Sequence, residues 1–248
     1  TTGGMPDPEG HVAEIKRICG PVVVGASVSV NVPAMLSYEY QGQQIGRHVN
    51  LIGLDPTTYD QVSDFGKYLL HPENQTDASF ALRDDGYAPD RKELAGAGWG
   101  HRRRRVAYER EIEAIVEAER QAMANLKRQA SGEVPATPEQ QAATDAAAKA
   151  AAAPTFGPMT QQAFGDGEDK LVADVDPMNE QFPGIILGVA TCSVRGRNED
   201  GEVYDRFYAQ PGDDVRMMFP NASDETKIMN QKFTVVDLYE SGMSEYDS

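Results

Sequence analysis

Basic charge is scarce in this chain: 23 Lys and Arg stand against 39 Asp and Glu over 248 residues, a formal net charge of −16. Affinity for phosphate rests on clustered Lys and Arg, so generic nucleic-acid binding is excluded as a function class. Long apolar runs are missing too. No stretch of about 18 or more apolar residues occurs, so no segment is expected to cross a membrane as a helix. Cysteine is limited to Cys19 and Cys192, which allow one disulfide or two buried thiols and do not fix the redox compartment. Thr1-Thr2-Gly3-Gly4 has neither a basic region nor an apolar core, so no signal peptide is expected there. The missing initiator Met reads as a piece cut from a longer chain. Hydrophobic residues, at 40%, still supply a real core, and the length fits one large domain or two small ones.

Catalytic constellations are also lacking. No glycine-rich loop closes on Lys-Ser/Thr, and the Gly96/Gly98/Gly100 cluster has no strand before it, as a dinucleotide site needs. Gly25-Ala26-Ser27-Val28-Ser29 fails the nucleophile-elbow pattern at its last position. His11, His48, His71 and His101 are neither paired at i,i+4 nor set at metal spacing from a cysteine; each reads as solvent-facing or structurally satisfied. Asp213-Asp214 and Asp166/Glu168/Asp169 offer the oxygens a hard cation takes, but without regular ligand spacing they read as solvated turns. No metal or cofactor ligand set is expected. The residues point to a binding or force-transmitting module and not to an enzyme.

What is present divides into three stretches. From Pro6, Val12, Ile15 and Ile18 have helical spacing and stop at Cys19-Gly20-Pro21. Pro21–Val32 alternates apolar and polar residues as a half-buried strand, and Met35–Tyr40 is a second strand. Gln41-Gly42-Gln43 turns the chain into a third, Arg47–Leu54, with Val49, Leu51 and Gly53 on one face, which Asp55-Pro56 ends. Asp60–Leu70 is expected as a short helix with Val62, Phe65 and Leu69 inward. In the middle, Gly86–Gly100 reads as loop, followed by His101-Arg102-Arg103-Arg104-Arg105 and a long helix to Ala130. Tyr108, Ile112, Ile115, Ala122 or Met123, and Leu126 make an amphipathic stripe on it. Residues 101–130 hold eight Lys and Arg against five Glu, a net +3 that leaves −19 elsewhere. The basic run suits acidic lipid headgroups or an anionic partner surface, or is a charged lead-in to a solvated helix. Thr137-Pro138-Glu139-Gln140 starts a second, alanine-rich helix to Ala153, making a helical hairpin or a frayed tether, and residues 155–176 are a return linker.

The last stretch is again β-rich: Gly184–Ala190, Val203–Tyr208, Val215–Phe219 and Phe233–Tyr239, with Arg195–Gly201 and Pro211–Asp214 as turns and Asn221–Gln231 as a polar connection. The expectation is an α+β fold: a discontinuous core domain of residues 6–84 and 177–248, with residues 85–176 inserted as a helical hairpin and linkers.

Three segments carry a family resemblance. Gly184-Ile185-Ile186-Leu187-Gly188-Val189-Ala190, Pro211-Gly212-Asp213-Asp214-Val215-Arg216-Met217-Met218-Phe219-Pro220, and Phe233–Met243 with Glu245-Tyr246-Asp247 occur in order. Upstream, Val49–Pro56 ends in Gly53-Leu54-Asp55-Pro56. These stretches resemble the extracytoplasmic domain of lipoprotein-releasing ABC transporter permeases, of the LolC/LolE type in the wider MacB-like periplasmic core family. The resemblance implies a mixed-sheet periplasmic core, with a β-rich subdomain and a porter-like βαβ subdomain, set between the first and second transmembrane helices of an inner-membrane permease. It implies ATP on a separate cytoplasmic ATPase subunit, a second permease copy or paralogue, and a lipoprotein or other envelope cargo. It also implies no chemistry in this chain.

In carrier-binding members a loop of this domain hooks a periplasmic lipoprotein carrier. The corresponding positions are Asn221–Lys232, and among them Asn221, Asp224, Lys227 and Met229 are candidate partner contacts; the segment is shorter than in the carrier-binding members and lacks their prolines, a departure from the hooking pattern. Arg102, Arg103, Ile112 and Ile115 on the helical insertion are the others. The insertion departs from the family pattern, as does the end of the chain at Ser248, where the family continues into further porter strands. Two further classes stay open: a signalling permease of the FtsX kind, whose external domain activates a cell-wall hydrolase, and a free-standing secreted enzyme or periplasmic binding protein.

Overall fold

The computed structural model describes residues 5–40, 43–89, 91–131, 175–197, 201, 203–221 and 227–242. The second helix expected at Thr137–Ala153, most of the return linker, Asp166/Glu168/Asp169, Asp224 and the closing Glu245-Tyr246-Asp247 lie outside the described residues. The chain divides into two compact units, Thr1–Arg105 with Asp169–Ser248, and Val106–Glu168.

The first unit is a mixed α+β body. Helix α1 (Pro8–Cys19) is capped by the Asp7 carboxylate accepting from Gly10 N–H at 3.0 Å, and none of its residues is buried. β1 (Ser29–Tyr40) and β2 (Gln43–Leu54) form a 12-residue antiparallel hairpin. The two strands expected at Pro21–Val32 and Met35–Tyr40 are thus one strand that starts later. Ser29 pairs with Leu54, the last residue before Asp55-Pro56, so residues 22–28 have no β2 residue left to pair with, and Val24 is 91% exposed. The strand runs through Pro33 because β6 pairs with β1 only at Met35–Ser37, so the missing N–H interrupts no ladder on that side.

Asp55 ends β2 as expected and caps the short helix α2 (Pro56–Tyr59), accepting from Thr57 N–H at 3.0 Å. The helix expected over Asp60–Leu70 does not form. Turns lead into a 3-10 turn at Phe65–Tyr68, and Val62 is 47% exposed. Gly66 disfavours continuous helix, and the backbone after it is claimed by strand pairing: Leu69 bridges Tyr239, and Leu70 N–H donates to Leu238 O at 3.0 Å. Helix α3 (Pro72–Thr76) follows, and then an irregular stretch to α4 (Trp99–Ser131).

After the return, β3 (Gly184–Gly188) runs directly into the one-turn helix α5 (Val189–Cys192). β4 (Ser193–Arg197) and β5 (Val203–Phe207) make a separate two-stranded sheet, so Arg195–Arg197, at the start of the segment read as a polar turn, is strand. β6 (Asp214–Pro220) and β7 (Ile228–Tyr239) form a hairpin. The main sheet has the order β2-β1-β6-β7-β3, antiparallel except for the β3–β7 pair. Its core gathers Leu36, Val215, Met217, Val235, Leu187 and Leu238, with Leu94, Ala97 and Cys192 beside them. Each of these side chains is worth about 1.5–3 kcal/mol against exposure when large and apolar.

In the second unit the described residues belong to α4. There Tyr108, Ile112, Ile115 and Leu126 are 41–64% exposed. No helix among the described residues is long and apolar enough to cross a membrane.

Candidate functional site

The basic run His101–Arg105 is the principal departure from expectation. It is not a wholly solvated lead-in: Arg102 is buried and His101 and Arg105 are half-buried, while Arg103 and Arg104 are exposed. In the first unit it forms the first turn of α4 and is bound to the start of β6. Arg102 is fully buried, and its Nη1 donates to Asp214 Oδ1 at 2.5 Å, while Arg105 Nη2 donates to Asp214 Oδ2 at 2.9 Å. His101 Nε2 lies 2.7 Å from Asp213 Oδ1, and Arg105 Nε lies 3.5 Å from the same oxygen. Thr234 of β7 donates its hydroxyl to Asp214 Oδ1 at 2.9 Å and accepts from Phe182 N–H at 3.0 Å. The Asp213-Asp214 pair is therefore the anionic half of an ion-pair network, not a solvated turn.

Glycine makes this approach possible. Gly98, at φ +90°, donates its N–H to Pro211 O at 2.7 Å, and a side chain on it would lie 2.3 Å from Arg83 O. Gly212, at φ +103°, would bring a Cβ to 2.6 Å from Gly98 O. Both positions combine left-handed backbone with backbone packed on backbone, which only glycine fits. The small run Ala95-Gly96-Ala97-Gly98 and the Pro211-Gly212 turn are two sides of one contact. The Arg102 guanidinium also lies 6.0 Å from the Trp99 ring centroid and 5.8 Å from that of Phe182.

A second polar cluster sits inside β7. Asp237 is fully buried and accepts from Leu238 N–H at 2.7 Å, Asn74 Nδ2 at 2.8 Å, His71 N–H at 3.2 Å and Tyr87 OH at 3.2 Å. Burial raises the Asp237 carboxyl, partly offset by those donors, and burial beside Asp237 raises the Tyr87 hydroxyl as well. The cluster fastens α3 and the Tyr87 loop to the sheet. Burial pushes the Cys192 thiol up to about 12; it and the exposed Cys19 are both free, with no disulfide between them.

The remaining sequence candidates separate into groups. Arg103, exposed on the same turn as Arg102, donates to Met178 O at 3.4 Å and lies 5.4 Å from the Trp99 ring centroid. Asn221, Lys227 and Met229 meet at the end of the β6–β7 hairpin: Asn221 N–H donates to Lys227 O at 2.9 Å, and Asn221 Nδ2 contacts Met229 Sδ at 3.6 Å. Ile112 and Ile115 belong to the part of α4 in the second unit. Residue-by-residue reading missed the pairing of Arg102 and Arg105 with Asp214, although a dense basic run and an Asp-Asp pair in an otherwise apolar context were its signal. It also missed Asp237, an acid inside the run Val235-Val236-Asp237-Leu238, and its partners His71, Asn74 and Tyr87.

Chemically, these clusters hold elements together. Among the described residues no group of three or more His, Cys, Asp or Glu is placed to hold a metal. A cleft among Leu54, Tyr59, Phe65, Phe80 and Ile186 has about 10 Å³ of room, the volume of roughly one water. No protein-family model, no curated protein and no solved structure matches this chain.

Proposed function

We propose that this chain is the extracytoplasmic, periplasmic domain of an ABC transporter permease of the lipoprotein-releasing kind. It passes ATP-driven motion from a cytoplasmic ATPase subunit to a lipoprotein or other envelope cargo and performs no chemistry itself. One observation carries the reading: the segments with the family resemblance, separate in sequence, are neighbours in space. They supply β3 with α5, the 211–214 turn with β6, and β7, and those three strands adjoin as β6-β7-β3. In this reading the parallel pair β3 and β7 with α5 is the porter-like part, and α4 opens the inserted segment. The network of Arg102, Arg105 and His101 on Asp213 and Asp214 then serves as a stiff coupling, because buried, hydrogen-bonded charge pairs do not exchange partners cheaply.

The test is recovery of the full reading-frame product from membranes. It is expected to sediment with the membrane fraction and to co-purify in detergent with a nucleotide-hydrolysing subunit. A product recovered in the soluble fraction without such a subunit overturns the reading. The signalling alternative, of the FtsX kind, is favoured by the exposed Tyr108, Ile112, Ile115 and Val116 on α4, which suit contact with a partner protein. It predicts the same ATPase but a cell-wall hydrolase, and no lipoprotein, among the bound proteins.

A further inference from the structure

The main sheet has two edges, and they differ. β3 is five residues long, whereas β2 presents 12 residues, and among the described residues no strand but β1 pairs with it. Natural sheets blunt long edges with lysine, proline or a bulge. β2, Gln43–Leu54, has no Lys, no Pro and an unbroken register with β1. It also has no Asp or Glu, in a chain with 39 of them, so it is an edge at which two strongly acidic molecules can meet without apposing carboxylates. Ile45, Val49 and Leu51 on its core face are only partly buried.

We propose that β2 is a dimerisation edge, on which the β2 of a second copy of this chain pairs antiparallel about a two-fold axis at His48. The pairing of Tyr40 with Gln43 closes the hairpin. Pro33 has no N–H to give its partner Asn50, which makes 33/50 a non-hydrogen-bonded pair; in the antiparallel alternation the odd-numbered β2 residues then bond to β1, and the N–H and C=O of Gln44, Gly46, His48, Asn50 and Ile52 face outward. A two-fold at His48 sets His48 against its own copy, Gly46 against Asn50 and Gln44 against Ile52, so every outward backbone group in that span is paired. On the core face the same register sets Ile45 against Leu51 and Val49 against Arg47. It therefore covers the apolar flanks with one another and extends the core face across the axis. This pairing stands whether or not the transport reading does.

The experiment uses the 248-residue chain carrying Cys19→Ser, which removes the exposed native thiol and leaves Cys192 buried. Sedimentation equilibrium is expected to show a concentration-dependent dimer. Adding His48→Cys should give a disulfide-linked dimer on mild oxidation, because the two α-carbons face each other at about 5.5 Å, inside the range a disulfide spans. Gln44→Cys alone should not crosslink, since its copies lie about 27 Å apart along the strands, whereas Gln44→Cys mixed with Ile52→Cys should. His48→Pro, which removes an outward N–H, should shift the chain to monomer with unchanged circular dichroism; if that variant does not fold, the crosslinks decide alone. A chain that stays monomeric at every concentration overturns the proposal. So does a dimer in which position 48 fails to crosslink or position 44 crosslinks as readily.

Discussion

With its guanidinium truncated at Arg102→Ala, the Asp214 carboxylate, 7% exposed, keeps only Arg105 and the Thr234 hydroxyl as partners. Leaving a buried charge short of its partner costs on the order of 3–5 kcal/mol. Urea unfolding of Arg102→Ala is expected to show a loss of that size, while Arg103→Ala, on the exposed side of the same turn, should change stability by less than about 0.5 kcal/mol. Asp237 gives a pH signature. Its carboxyl is raised by burial, so the native state keeps a proton that the unfolded chain has released. That contribution is complete below the ordinary value of 3.8 and is lost as the pH rises through the raised one. Comparing wild type with Asp237→Asn by urea unfolding, the difference in favour of wild type should shrink as the pH rises above 3.8; a difference that grows contradicts the assignment. The thiols give a simpler outcome. Cys19 should label in the native protein, and Cys192, with its thiol pushed up to about 12, only after unfolding.

At the scale of elements, the turn from Met35–Tyr40 into Arg47–Leu54, the strands at Val215–Phe219 and Phe233–Tyr239, and the strand leading into a helix at Gly184–Ala190, one of two readings there, were legible because their apolar periods agree with their packing; Ile228–Gln231, read as polar connection, is instead the start of β7, because it pairs with Met217–Pro220 of β6. Asp60–Leu70 was not, because a bridge from Leu69 to Tyr239, far off in sequence, outweighs local helical spacing. The start of β1 depends on where its partner ends, which no local pattern at Val22–Val28 reveals. The charge network was hidden for the same reason: Arg102 and Asp214 are 112 positions apart, and a basic run opposite an acidic pair becomes a bond only once Gly98 and Gly212 let the backbones touch. This sets where the chain can be cut. Replacing Val106–Glu168 by a flexible Gly/Ser linker should leave the first unit folded, with its strand signal in circular dichroism intact. Extending the cut back to His101 removes both arginines from Asp214 and should lower the thermal transition markedly. Equal behaviour of the two deletions would show that the first turn of α4 is not part of the body.

For the whole molecule, a net charge of −16 goes with a mixed five-stranded sheet and short helices, and two polar clusters fasten elements to that sheet. The transport reading explains why its best-ordered chemistry is structural. Arg102, Asp214 and Asp237 hold turns and helices to strands. The most direct measurement is to sequence the encoding reading frame outward from both ends of this chain. The account predicts one transmembrane helix just before Thr1, three after Ser248, and an ATPase gene alongside. A cleavable leader before Thr1 with no membrane span on either side would contradict it.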